Sequence, residues 1–349
     1  MSADRPRATL ATVAASAGVS VATVSKVLNG HDDVAPATRA LIQTLLQQHD
    51  YTGRRVRAAR RGAAAAPVEL MFGDDLNAYS TAIVQGVVSA GAAAGVTVAV
   101  SLRTQDPPSA EGRRRAAGSW ARDLVAAGRR AVISVVKDLT VHDLQVLSRA
   151  NLPLVVIDPL HLPRARVTSV GSTNFAGGLA ATEHLLNLGH RRIGYLGGPA
   201  AAACNQARLQ GYRAAMDAAG APVPDGYVRT GRFRYDDGVV GGAALFDLPE
   251  PPTAVFAGSD ETAAGVIEAA RARGLRIPED VSIVGFDDTQ VAWFAAPPLT
   301  TVRQPLQEMG GVALRTALRL AAGEKLDSHH VELATELVVR RSTAPPPGR

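Results

Sequence analysis

The chain of 349 residues contains a single cysteine, Cys204. No intrachain disulfide can form, so a small secreted fold held by disulfides is excluded and a reducing cytoplasm is the expected location. The thiol itself reads as a packed or cavity-wall residue rather than a nucleophile. Aromatic residues are scarce, 4% against 46% hydrophobic overall, the balance of an Ala-rich folded soluble protein. No apolar run approaches the length of a membrane span. The first residues also lack the apolar stretch of a secretory signal, so neither membrane insertion nor export is expected. Phosphate-loop patterns are missing too. Gly197-Gly198-Pro199 follows an apolar run, but Gly-x-Gly-x-x-Gly and Gly-x-x-x-x-Gly-Lys-[Ser/Thr] do not occur in suitable context, which argues against a dinucleotide enzyme, and no cofactor is expected. The 8 histidines are scattered, and the doublet His329-His330 has no second ligand pair at metal spacing. Asp287-Asp288 could hold a metal for hydrolysis, yet the sequence places no nucleophile or base beside it. An enzyme is therefore not expected.

What is present is a charge imbalance confined to one end. Up to Gly62 the basic residues are Arg5, Arg7, Lys26, Arg39, Arg54, Arg55, Arg57, Arg60 and Arg61, against Asp4, Asp32, Asp33 and Asp50. That excess equals the formal net charge of the whole chain, +5, so the remainder is balanced. A localised positive field is where a polyanion would dock, whereas a merely solvated basic face would not explain why the excess stops at Gly62.

The same segment carries helix-turn-helix spacing. Val13, Ala14 and Ala17 form the apolar face of a first helix. Gly18 suits the positive φ of a sharp helix exit, and Ser20 is a natural N-cap for the next helix. Val24, Val27 and Leu28 then face inward, leaving Val21, Ala22, Ser25 and Lys26 outward. A third helical segment, Pro36 to His49, completes the unit. An ordinary helical hairpin within a larger core is the alternative.

Thr52 to Ala66 is basic, then Ala-rich, and reads as a hinge. Its like charges predict poor order without DNA and helix when phosphates screen them. From Pro67 onward, apolar runs alternate with helical patterns: Val68–Phe72, Val96–Leu102, Ala131–Val136, Leu154–Ile157, Ile193–Leu196, Ala254–Ala257 and Ser282–Phe286 as strands. Helices are expected over Ile83–Gly95, Asn174–Leu188, Arg208–Ala219 and Glu261–Arg273. Such alternation implies an α/β fold with parallel sheets covered by helices on both faces. The tail Ala344 to Arg349 has three consecutive prolines and is expected to be disordered.

Ligands of open α/β sheets bind beyond the carboxyl ends of the strands. Asp158, Asp260, Asp287 and Asp288 fall there, and Arg208 opens a helix beyond one. Carboxylates accept from sugar hydroxyls and a guanidinium donates in a fixed fork, so a cleft lined this way suits a small polyol. The alternative for each carboxylate is a strand-end cap or an interlobe salt bridge.

Several segments carry a family resemblance. Ala14 to Gly30, with Val34, Thr38, Arg39 and Tyr51, resembles the headpiece of the lac-repressor (LacI) family of bacterial transcription regulators. Downstream, Gly189-His190-Arg191-Arg192-Ile193, Arg208-Leu209-Gln210-Gly211-Tyr212, Pro252 to Asp260, Val281 to Asp288 and Pro298 to Gln304 occur in family order. The wording of Asp280 to Gln304 and Val331 to Pro345 is similar to actinobacterial regulators of pentose or oligosaccharide use.

The resemblance implies a helix-turn-helix headpiece (1–51), a hinge (52–66) and a body (67–343) of two doubly wound parallel-sheet lobes of periplasmic-binding-protein-like type. The lobes would comprise about 67–170 with 302–333, and 171–297 with 334–343, with crossovers near residues 170 and 300. It implies a DNA-binding regulator, a repressor released from a palindromic operator by a small sugar, acting as a homodimer on double-stranded DNA. The alternatives are a carbohydrate-binding protein without regulatory output, or an activator or corepressor-dependent regulator of the same fold. No long heptad marks the C-terminus, so a tetramerising coiled coil is not expected.

DNA contacts are expected from Thr9, Leu10, Ser20, Val21, Ala22, Thr23, Ser25, Lys26, Asn29 and Arg39, and from Arg54, Arg55, Arg57 and Arg60 of the hinge. Relatives often carry long polar side chains where Val21 and Ala22 stand. Arg60 occupies the position at which relatives commonly wedge a leucine into the minor groove, with Val56 as the alternative wedge. Arg208, Asp287 and Asp158 match effector-contacting positions, Phe233 matches an aromatic wall, and Asp260 completes the expected set. Ser259 stands where the family often has asparagine, which changes the hydroxyl pattern it could read.

Overall fold

The computed structural model describes residues 10–28, 34–48, 66–73, 76–103, 109–136, 139–159 and 167–348. The chain divides into two units, Met1–Ala65 and Ala66–Arg349.

The first unit contains α1 (Leu10–Ala17), α2 (Val21–Leu28) and α3 (Pro36–Gln48). Gly18 ends α1 at φ +64°, and the N–H groups of Gly18 and Val19 return to the carbonyls of Ala15 and Ala14, closing the helix in a Schellman turn. Ser20 caps α2, accepting from the Thr23 N–H at 3.1 Å. Val13, Ala14, Val24, Val27, Val34 and Ile42 bury together as a small core.

The second unit holds two six-stranded sheets. In the first lobe lie β1 (Val68–Phe72), α4 (Ala78–Ala94), β2 (Val98–Leu102), α5 (Ala110–Ala126), β3 (Ala131–Val135), α6 (Val141–Arg149), β4 (Leu154–Ile157) and β5 (Thr168–Ser172). The second lobe follows with α7 (Asn174–Asn187), β6 (Ile193–Gly197), α8 (Ala203–Ala218), β7 (Val228–Thr230), α9 (Tyr235–Phe246), β8 (Ala254–Ala257), α10 (Asp260–Arg271), β9 (Ser282–Asp287), α11 (Gln290–Phe294) and β10 (Thr300–Arg303). The chain then returns to the first lobe as α12 (Leu306–Ala321) and β11 (His330–Leu333), and crosses a third time to add β12 (Glu336–Val338) to the second.

The sheet orders are β11-β5-β4-β3-β1-β2 and β12-β10-β9-β8-β6-β7. Every neighbouring pair is parallel except β10 with β12. Strand order therefore reverses between β1 and β3 in one lobe and between β6 and β8 in the other, the switch points at which such sheets open a crevice. Continuous burial of β1, β3, β6 and β8 follows from their two covered faces.

Helix α4 begins at Ala78, earlier than its apolar pattern suggests, because Asn77 and Ser80 form a reciprocal capping box. The α7–α8 pair crosses at glycines. A Cβ at Gly178 would overlap the Arg208 carbonyl oxygen, and one at Gly211 the Phe175 carbonyl oxygen, so the two backbones approach closely at Arg208.

The tail expected to be disordered is instead anchored at its start. Ile283 N–H donates to the Ser342 carbonyl at 2.8 Å, and the Ala344 N–H donates to Ser282 Oγ at 3.0 Å. These bonds to β9 hold the chain at Ser342 and Ala344, just ahead of the prolines.

Candidate functional site

A cavity of about 520 Å³ opens between the lobes at both switch points. Phe72 and Gly73 at the end of β1, Val136 after β3 and Asp158 after β4 line it from one side, together with Asn77 and Tyr79 at the start of α4. From the other side come Pro199 after β6, Cys204 and Arg208 on α8, Phe233 before α9, Ser259 after β8, Glu261 on α10, and Asp287 and Thr289 at the end of β9. Four lining residues other than glycine hold positive φ: Val136 at 45°, Asp158 at 45°, Phe233 at 64° and Asp287 at 113°. Such strain is costly, above all for a β-branched side chain, and it is concentrated around this cavity.

Arg208 organises the inner end. Its Nε donates to Asn174 Oδ1 at 2.8 Å and its Nη1 to the Gly258 carbonyl at 2.5 Å. The guanidinium carbon lies 3.8 Å from the Phe286 ring centroid and 5.3 Å from that of Phe233. Asp287 Oδ1 stands 3.9 Å from Nη1 and accepts from Gln304 Nε2 at 2.7 Å. Burial opposes the charge of Arg208, but the acids around it, with Cys204, Asp287 and Asp158 foremost, hold its pKa above the ordinary value. Burial pushes the Asp287 carboxyl well above its usual range; Arg208 pulls it back and Asp260 pushes it further. Asp158 is raised by burial as well, opposed by the Tyr79 hydroxyl, which donates to its Oδ2 at 2.6 Å, and by Arg208. The inner end thus offers one fixed cation between two carboxylates beside an aromatic ring, a set that can donate to and accept from several hydroxyls.

The other residues expected here divide. Asp288 is held by Arg303 at 2.7 Å and Arg340 at 2.5 Å and turns away from the cavity, leaving Asp287 as the inward carboxylate of the pair. Asp260 does not reach the cavity, correcting the expectation from its place after β8. It is fully buried, accepting from Thr301 Oγ1 at 2.6 Å, Thr289 N–H at 2.7 Å and Thr289 Oγ1 at 3.0 Å. Burial raises its pKa to about 7, with those three donors opposing. It is a strut beneath the Asp287–Thr289 turn. Ser259 lines the cavity, but its hydroxyl lies within donating distance of the Phe233 carbonyl and Thr262 Oγ1 and accepts from the Thr262 N–H. It caps α10 and fixes the Phe233 loop. Cys204 is a wall residue whose thiol burial pushes up to about 11, so it is no nucleophile near neutrality.

Tyr79, Asn174, Gln304 and Glu261 were not singled out in the sequence. A signal for Tyr79 lay in the Asn77-x-x-Ser80 capping pattern just ahead of an apolar helix. Gln304 closes the Pro298 to Gln304 motif. Among the described residues no cluster of His, Cys, Asp or Glu could hold a metal ion, and no helix is long and apolar enough to cross a membrane.

In the first unit, Val21, Ala22 and Lys26 are exposed on α2, Val21 at 46%, while Thr23 and Arg39 are half-buried. Ser20 serves as the N-cap at the entry to this helix. Thr9, Asn29, Arg54, Arg55, Val56, Arg57 and Arg60 lie outside the described residues, as do the side chains of Leu10, Ser25 and Leu28.

Residues 9–53 match the family model of bacterial regulatory proteins, lacI family, and residues 182–343 match that of the periplasmic binding protein-like domain. The HTH-type transcriptional regulator CelR of Thermobifida fusca is 36% identical over 344 residues, covering 97% of this chain and 99% of CelR. The HTH-type transcriptional regulator DegA of Bacillus subtilis (strain 168) is 31% identical over 339 residues, 97% and 99% of the two chains. Among solved structures, the transcriptional regulator CelR–cellobiose complex superimposes with a TM-score of 0.70 at 34% identity, covering 96% of this chain and 100% of that one. The lac repressor dimer bound to operator and the anti-inducer ONPF gives 0.69 at 26% identity, with 97% and 99% covered.

Proposed function

The chain belongs to the lacI family of bacterial regulatory proteins, and from that membership we propose a repressor that leaves a palindromic operator when a small sugar enters the interlobe cavity. It is a DNA-binding transcriptional regulator and not an enzyme. The observation that carries the effector assignment is the fixed Arg208 guanidinium, with Asp158 and Asp287 lining the same cavity and the Phe233 ring as a wall. Polyols are recognised by such mixed donors and acceptors, while an apolar ligand would leave buried charges unmet at a cost of about 1–3 kcal/mol each.

The working parts are the headpiece, the basic hinge and the two-lobed body, with boundaries as read from the sequence. Two headpieces are needed to hold the two halves of a palindrome, which makes the acting form a homodimer in the cytoplasm. Val21 and Ala22 offer only apolar contact, suited to thymine methyls. Lys26 is then the main hydrogen-bonding reader, most simply of guanine O6 and N7. Cellobiose, seen with CelR, is the first sugar to try.

The test is a thermal-shift screen of mono- and disaccharides on the full chain, followed by operator binding with and without the best hit. Stabilisation together with weakened operator binding supports the reading. Tightened operator binding would make the sugar a corepressor, and a panel that stabilises nothing would remove the sugar assignment.

A further inference from the structure

Arg208 and Asp287 sit on different elements, yet one hydrogen-bonded chain joins them through both of the first two crossovers. Arg208 Nε donates to Asn174 Oδ1 at 2.8 Å. The same amide donates through Nδ2 to the Ser172 carbonyl at 3.0 Å. Ser172 Oγ donates to Gln304 Oε1 at 2.5 Å, and Gln304 Nε2 donates to Asp287 Oδ1 at 2.7 Å. The ring closes across the 3.9 Å between Asp287 Oδ1 and Arg208 Nη1.

Ser172 ends β5, where the chain first leaves one lobe, and Gln304 follows β10, where it returns. Ser172 and Gln304 are buried and Asn174 is half-buried, and the oxygen of each amide accepts from one group while its nitrogen donates to another. In a ring so largely buried, breaking a link leaves a polar group without its partner.

We propose that Asn174 is a positioning residue: it fixes which edge of the Arg208 guanidinium faces the cavity and links that edge to the strands on which the lobes turn. The inference rests on the cavity being the effector site. With Nε donating to Asn174 and Nη1 to the Gly258 carbonyl, the fork cannot swing, which leaves the Nη2 edge, with its two N–H groups, for a ligand. Two neighbouring acceptors, such as the oxygens of a vicinal diol, match that edge. Any change in the angle between the lobes alters the Ser172–Gln304 link, and through Asn174 it alters Arg208. Asn174 acts through Arg208 and need not touch the ligand.

Two substitutions separate its two bonds. Asn174→Ala removes both. Asn174→Asp keeps an acceptor for Arg208 but sets an oxygen against the Ser172 carbonyl. The first measurement needs no ligand. In nitrogen-15 spectra of the full chain, the Arg208 Nε–H signal, assigned by its loss in Arg208→Lys, should exchange slowly with solvent in the wild type. It should exchange at least about tenfold faster in Asn174→Ala and stay protected in Asn174→Asp. Equal protection in all three chains overturns the positioning role.

The second measurement titrates cellobiose and D-ribose against each chain, with Arg208→Ala alongside. For whichever sugar binds, Asn174→Ala should weaken it roughly tenfold or more, while Asn174→Asp should hold it within about threefold yet lose most of its effect on operator affinity. Sugar binding lost in Arg208→Ala but untouched in Asn174→Ala overturns this inference and leaves the effector site standing. Failure of both sugars on the wild-type chain counts against the effector assignment, and the exchange measurement still decides the role of Asn174.

Discussion

Glu261, in the first turn of α10, accepts a hydrogen bond from the Ala78 N–H, the first residue of α4 in the opposite lobe, at 3.3 Å. Both residues line the cavity, so a carboxylate of one lobe meets the positive helix end of the other across the mouth. A charge placed there contributes about 0.3–1 kcal/mol. Glu261→Ala should therefore favour the open cleft and weaken sugar binding by roughly two- to fivefold. Calorimetric titration and small-angle scattering with and without sugar check it; unchanged affinity and unchanged shape would show that this contact does not hold the lobes closed.

Asp260 sets a pH dependence. Its carboxyl, held near 7 by burial against 3.8 in the unfolded chain, keeps a proton that the unfolded chain has released. The stabilisation this gives is complete below about pH 4 and is lost as pH rises through 7. A single proton contributes a slope of at most about 1.4 kcal/mol per pH unit. Asp158 and Asp287 act in the same direction, since burial raises both. Asp260→Asn should flatten the fall in stability between pH 4 and 7 without removing it. Urea unfolding across that range would show this, and a profile parallel to wild type would mean that Asp260 is ionised throughout.

Lys26 stands exposed in the last turn of α2 beside Val21 and Ala22, neither of which can hydrogen-bond a base. Lys26→Ala should relax preference at one position in each half-site, by about 1–3 kcal/mol of discrimination. Selection from randomised operators reads the outcome. Preferences identical to wild type would reduce Lys26 to a phosphate contact.

The hinge arginines predict a steep response to salt. Each phosphate neutralised adds about 0.9 to the slope of log affinity against log salt concentration. Arg60→Leu should lower that slope by about one and increase bending, because an apolar side chain wedges where an arginine prefers a narrow groove. Gel-shift phasing and affinities across a salt series test both effects. A strong central kink in the wild type that vanishes in Val56→Ala would assign the wedge to Val56 instead.

The legible parts of the sequence were those fixed by local chemistry. The Gly18–Ser20 turn carries its geometry in its residue types, and buried strands such as Val68–Phe72 announce themselves as apolar runs. Asp158, Arg208, Phe233 and Asp287 could be placed because the carboxyl ends of parallel strands, together with the family motifs, locate a crevice. Asp260 was misplaced by the same rule, for its side chain turns back to Thr289 and Thr301, 29 and 41 residues further on. Helix α9 stayed hidden behind Gly238, Gly241 and Gly242, which lower helix propensity but allow α9 and α10 to approach where a Cβ at Gly238 would overlap the Thr262 carbonyl oxygen. Asn174 carries no local mark of its role, because Arg208, 34 residues further on, reaches it only through the packing of α8 on α7.

The third crossing bears on how the protein is made. β11 and β12, at residues 330–333 and 336–338, are the outermost strands of the two sheets, and α12 packs on α4 some 220 residues earlier in the chain. Neither lobe is encoded as an uninterrupted stretch. On the ribosome, both lobes must wait with their last strands missing until residues 330–338 have been made, and then complete together. A chain broken off by premature termination before residue 330 would lose an edge strand from both sheets at once.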